Sequence, residues 1–147
     1  MYKHILVPTD GSPLSRATAL SAVKLARAVG ARITGLFVAP VATPLEYRGL
    51  LPVGLRTSEK SAAMIEKTAG RYLEVIESAA RAAGVRCDAI HVTSDFPSDT
   101  ILQVAAKRKC DLIYMASHGR RGLKGVLIGS QTQKVVSGAK IAVLIHR

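Results

Sequence analysis

Residues 115–136 read MASHGRRGLKGVLIGSQTQKVV. The apolar run DLIYM ends on Met115, and Gly119, Gly122, Gly125 and Gly129 then fall within eleven residues. Glycine at that density is entropically costly, so a chain that keeps it needs close backbone approach or positive φ. Gly129-Ser130 opens a run with helical spacing. The first N–H groups of a helix have no partner within it, and its dipole favours negative charge there. The stretch therefore predicts a buried strand, a loop drawn around an anion, and a helix whose first turn faces it. The anion best matched to this outline is a nucleotide.

Working outward, His4 to Val7 (HILV) is apolar without polar alternation, and Pro8-Thr9-Asp10-Gly11-Ser12 stops it. This predicts a buried strand ending in a loop. From Pro13 the period becomes helical: Ala19, Ala22, Val23, Ala26 and Val29 share a face, and Gly30 ends it. ARITGLFVA is a second strand, closing at Pro40. The Pro40–Arg56 stretch, with three prolines and two glycines, reads as an irregular connection. A long amphipathic helix is expected from about Ser58 to Ala83, with Ile65, Thr68, Tyr72, Val75 and Ala79 as its inner stripe and Gly84 as its stop. CDAIHVT is a third strand. SDTILQVAAKRK is a short helix, with Ser98 as its expected cap and Ile101, Val104 and Ala105 facing inward. DLIYMA and IAVLIH are the fourth and fifth strands, on either side of the helix from Ser130.

This strict alternation over 147 residues predicts one α/β domain: a five-stranded parallel sheet with helices on both faces. In strand order 3-2-1-4-5 the winding reverses between strands one and four. Ligands of such folds sit beyond the carboxyl ends of the strands at that point. The loop from Pro8 to Ser12 would then lie beside the loop from Ala116 to Gly129.

Composition narrows the chemistry. Apolar residues make up 48% of the chain and aromatics 4%, with no Trp, which argues against a surface that stacks nucleic-acid bases. Cys87 and Cys110 lack metal-site spacing and read as reduced thiols in or near the core. His4, His91 and His146 fall on separate strands without ligand spacing. The start, MYKHILVPTD, is too short for a signal-peptide core, and no apolar run is long enough to span a bilayer. A cytoplasmic protein without a membrane partner is expected. The formal charge is +11, and Lys107 to Arg147 holds nine Lys or Arg against one acid, Asp111. Such a field draws anions without choosing among them.

Known nucleotide motifs are largely absent. There is no G-x-x-x-x-G-K-[ST], no G-x-G-x-x-G after the first strand, and no S-G-G-x-D-S run. What remains is Gly119, nine residues, then Gly129-Ser130. In the opening ILVPTDGS, in CDLIYMASHGRRG and in the closing GSQTQKVV and IAVLIH, the chain resembles the universal stress protein family over essentially its whole length. Nucleotide-binding members of that family carry G-x-x-G-x9-G-[ST]. The frame falls here on Ala116, Gly119, Gly129 and Ser130, so three of four positions match and Ala116 departs from the pattern.

The resemblance implies a fold of the adenine nucleotide alpha-hydrolase type, with flavodoxin-like layering. Its implied ligand is ATP or another adenine nucleotide, with or without Mg²⁺. Gly119 and Gly129 would wrap the phosphates, Ser130 would donate its hydroxyl and N–H, and Gln131 and Thr132 would add N–H groups. Asp10 would meet ribose hydroxyls, or a metal through water. Pro8, Thr9 and the Val38 backbone would enclose adenine, with Met115 as padding and Ala116 and His118 beside them. His118, alone in a loop with no adjacent carboxylate, is assigned no catalytic role. Arg120, Arg121 and Lys124 either screen phosphate charge or solvate the loop. The resemblance further implies a homodimer through the last strand. Two other readings stay open: a nucleotide-free interaction protein using its basic C-terminal third, and a slow Mg²⁺-dependent ATPase.

Overall fold

The structure, a computed structural model, describes residues 1–41, 58–120, 122, 125 and 127–147. Most of the Pro40–Arg56 connection, together with Arg121 and Lys124, lies outside the described residues. The elements are β1 (His4–Thr9), α1 (Pro13–Val29), β2 (Arg32–Ala39), α2 (Ser58–Ala83), β3 (Cys87–Thr93), α3 (Pro97–Lys107), β4 (Leu112–Ala116), α4 (Ser130–Gly138) and β5 (Ala142–His146). All strand pairs are parallel, as expected from the alternation, and the order is β3-β2-β1-β4-β5, the one for which the switch point was placed between strands one and four.

Period-two alternation sorts the strand side chains into two cores. Ile5, Val7, Ile33, Phe37, Leu112 and Tyr114 pack with α1 and α2 on one face. Leu6, Leu36, Ile113 and Met115 pack with α3 and α4 on the other. Helix α1 starts where Ser12 accepts a hydrogen bond from Ser15 N at 3.2 Å with Pro13 in the first turn. It ends at Gly30 in the left-handed conformation, φ 71°. Both thiols are free; burial, the largest cause in each case, pushes Cys87 and Cys110 up to about 11.

Three local expectations are corrected. Strand β1 does not stop at Val7: Pro8 and Thr9 remain in register with Leu36 and Phe37 of β2. Its pairing with β4 ends at Leu6, and a strand open along one side accommodates proline. Ser98 is not the cap of α3. The helix begins at Pro97, with Phe96 in the cap position and Ser98 buried in the first turn, because proline's fixed φ suits the first helical position.

The buried stripe of α2 is Ala69, Leu73, Ile76 and Ala80, one step around from the line expected. Ile65, Tyr72 and Ala79 flank it, partly buried. The rotation fits the sheet surface, where Gly35 of β2 leaves a hollow. A side-chain carbon at Gly35 would lie 3.1 Å from Ile76 Cδ1. Filling that hollow makes Ile76 the anchor of α2. Ile76→Ala should therefore destabilise the fold by about 2–5 kcal/mol in urea denaturation. A loss below about 1 kcal/mol would show that the hollow collapses without it.

Candidate functional site

Past Leu6 and Ile113 the ladder between β1 and β4 ends, although both strands continue. Strand β1 then feeds α1 on one face and β4 feeds α4 on the other, leaving a crevice at the carboxyl edge.

Asp10 forms one wall. Its Oδ1 accepts from Ser12 N at 3.0 Å and Ser15 Oγ at 2.7 Å, while Oδ2 accepts from Arg120 N at 2.8 Å. Burial acts to raise its pKa, but the hydrogen bonds from Ser12, Ser15 and the Arg120 backbone outweigh it and hold the carboxyl below its usual value. Asp10 thus staples the β1 loop to the glycine loop. Gly11 follows at φ 74°, and any side chain there would run into the Tyr72 ring.

The other wall is built on β4. Ser117 N donates to His146 O at 2.8 Å, and Gly129 N donates to Ser117 O at 2.6 Å. The loop from Ser117 to Gly129 is thereby pinched at its base. Thr132 Oγ1 donates to Ala116 O at 2.9 Å, fixing the first turn of α4 to the end of β4. Neither motif glycine is demanded by φ. Gly129 has φ −68°, but a side-chain carbon there would lie 3.2 Å from His118 Cα. At Gly119 such a carbon would collide with Asp10 Oδ2. Close backbone approach, the first of the two reasons for dense glycine, is the one that applies at these positions.

Gly129 is also the N-cap of α4. No side chain caps the helix, no acid lies in its first turn, and its first backbone bond is Gln133 N to Gly129 O at 2.9 Å. Ser130 is exposed at this start. Gln131 Oε1 is buried without a hydrogen-bond partner.

The residues singled out from sequence fall along one edge. Asp10, Gly119, Gly129, His118, Ala116 and Thr132 are joined by the contacts above. Thr9 is buried, and its Oγ1 accepts from Gly11 N at 3.2 Å. Met115 and Val38 lie on the α3–α4 face, as does Pro8 by alternation from Leu6. Val38 stands apart, one strand over on β2. Ala116 ends β4 without positive φ, so its methyl group strains no backbone. His118 Nδ1 lies 3.1 Å from Ser117 Oγ, and among the described residues no carboxylate is hydrogen-bonded to it.

Arg120 resolves differently from either sequence reading. Its Nε donates to Asp10 O at 2.9 Å, and its Nη2 donates to Gly11 O at 3.2 Å and Tyr72 Oη at 2.9 Å. Ser15 and Tyr72 were not expected at the site. Tyr72 carried one weak signal, an aromatic ring on an alanine-rich helix.

Fold and crevice together define a doubly wound α/β protein with a ligand-type cleft at its switch point. The chain belongs to the universal stress protein family, whose model matches residues 1–147. It is 30% identical to the universal stress protein YxiE of Bacillus subtilis over 149 residues, covering all of both chains. The solved structure of MJ0577, from Methanocaldococcus jannaschii, superposes with a TM-score of 0.77 at 26% identity, covering 99% of this chain and 95% of that one. A universal stress protein in complex with cAMP shares the fold, with a TM-score of 0.69 at 24% identity over 99% of this chain and 97% of its own.

The Asp10 staple sets a pH dependence. With its folded pKa held below 3.8, the stabilisation is complete above pH 3.8 and is lost as pH falls through the folded value. Asp10→Asn should be less stable than the parent by about 1.5–3 kcal/mol at neutral pH. Chemical denaturation across the acid range should show that gap closing. A gap that persists in strong acid would mean the carboxylate charge contributes nothing.

Proposed function

We propose that this chain is a cytoplasmic, single-domain adenine-nucleotide-binding module. It takes ATP or another adenine nucleotide in the β1–β4 crevice and acts through nucleotide-dependent contacts with other proteins. The observation that carries this reading is the start of α4. A helix capped by glycine, with no acid in its first turn, offers its dipole and its Ser130, Gln131 and Thr132 N–H groups to an outside anion. Phosphates are assigned to Gly119, Gly129 and Ser130, ribose to Asp10, and the base to Pro8, Thr9, Val38 and Met115.

The cAMP in the related complex belongs to that protein. For this chain the case for an adenine nucleotide rests on the family frame at Gly119, Gly129 and Ser130, from which only Ala116 departs. Asp10 accepts three hydrogen bonds, leaving about one of its four acceptor sites for a ribose hydroxyl or a metal-bound water. Any Mg²⁺ would therefore depend chiefly on the phosphates. Turnover is not part of the proposal, because His118 is engaged with Ser117 and among the described residues no carboxylate is hydrogen-bonded to it.

Gly129→Val tests the site. Valine at that position would press on the His118 backbone and push the loop from α4, so ATP binding by calorimetry should be lost while circular dichroism stays native. Unchanged ATP affinity in the folded variant would refute the assignment.

The module is further proposed to be a two-fold dimer. Strand β5 closes one edge of the sheet, and Leu127, Ile128 and Val136 nearby are exposed apolar residues. An uncovered edge with apolar neighbours is stabilised by pairing with its copy. Among the described residues no helix is long and apolar enough to cross a membrane. Val143→Lys should yield a monomer by light scattering that stays folded by circular dichroism but unfolds at lower temperature, since Val143 also packs against the α3–α4 core. A parent protein that is monomeric at micromolar concentration would end the dimer reading.

A further inference from the structure

We propose that Arg120 and Tyr72 form a latch coupling the nucleotide crevice to helix α2, an inference that rests on the nucleotide reading above. Three separate segments meet at the Arg120 guanidinium: the glycine loop that carries it, the β1 loop and α2. Its backbone N–H is on Asp10 Oδ2, and its side chain folds back onto Asp10 O, Gly11 O and Tyr72 Oη. The guanidinium carbon also lies 5.3 Å from the Tyr72 ring centroid. Gly11 permits this arrangement, since its left-handed backbone and missing side chain let the Tyr72 ring come up against it.

The contacts continue past Tyr72. Its ring meets Phe37 edge-on, with centroids 5.1 Å apart and planes at 87°. Phe37 is the register partner of Thr9 and precedes Val38 on β2. Tyr72 therefore reaches the crevice directly through Arg120, and through Phe37 it backs onto the strand pair that carries Thr9, on the face of the sheet opposite Val38. A planar fork with donors to two carbonyls and a phenol fixes the loop in a way a flexible ammonium does not. Holding Gly119 against Asp10 before ligand arrives removes part of the ordering penalty of binding. By linkage, whatever displaces α2 alters nucleotide affinity, and nucleotide alters α2 by the same factor. Arg120 is accordingly a positioning residue, and α2 is the surface on which occupancy is read.

The test uses the full chain with ATP as probe. Calorimetry compares the unmodified protein with Tyr72→Phe, Arg120→Ala and the double variant, and amide exchange follows α2 with and without ATP. Tyr72→Phe keeps the ring against Gly11 and Phe37, so the fold is retained. Each single change should weaken ATP binding about ten-fold. The double variant should be no weaker than the worse single one, because the two groups act as one unit. ATP should slow exchange around Leu73 and Ile76 in the unmodified protein and not in Tyr72→Phe. If the unmodified protein fails to bind ATP, the nucleotide reading fails and the latch with it. If it binds, then unchanged or tighter binding by Tyr72→Phe, with exchange on α2 still slowed, overturns the latch alone.

Discussion

Parallel strands must be joined by crossovers, and right-handed crossovers force a choice of face. Strand β1 sits where that choice reverses. The path through α1 to β2 covers one face, and the path through α4 to β5 covers the other. Strands β1 and β2 therefore stay in register from His4 to Thr9, whereas β1 and β4 part after Leu6 and Ile113. The crevice is a product of topology before any side chain shapes it. Every contact at the site, from Asp10 to Thr132, bridges or trims a gap that the sheet order makes unavoidable.

Within that gap, polar groups hold chain segments at distances that side chains would prevent. Ser117 and Gly129 close the loop at its base, Thr132 ties α4 to Ala116, and Asp10 ties the loop across to β1. The two motif glycines are consequences of these ties. Each stands where another group occupies the space of a side chain: the His118 backbone at Gly129 and a carboxylate oxygen at Gly119.

The fold was legible because its signals are local. Apolar runs marked the strands, and Gly30 and Gly84, both left-handed, ended α1 and α2 where the pattern broke. The site frame was legible for the same reason, since Gly119, Gly129 and Ser130 share one loop and helix start. Errors arose where local rules competed. Pro97 displaced Ser98 at the start of α3, and the hollow at Gly35 rotated the buried stripe of α2 toward Ile76. The partners of Arg120 were beyond any local pattern: Asp10 is 110 residues away in the chain and Tyr72 is 48. Only the folded sheet brings such groups together.

The two thiols carry a consequence for signalling. With pKa values pushed up to about 11, Cys87 and Cys110 are thiolate in only about one molecule in ten thousand at pH 7. Peroxides, electrophiles and disulfide exchange all select the thiolate. The chain has no other cysteine. Its own thiols are thus poor detectors of oxidants, and a disulfide or sulfenic-acid switch is not what this fold is built to offer.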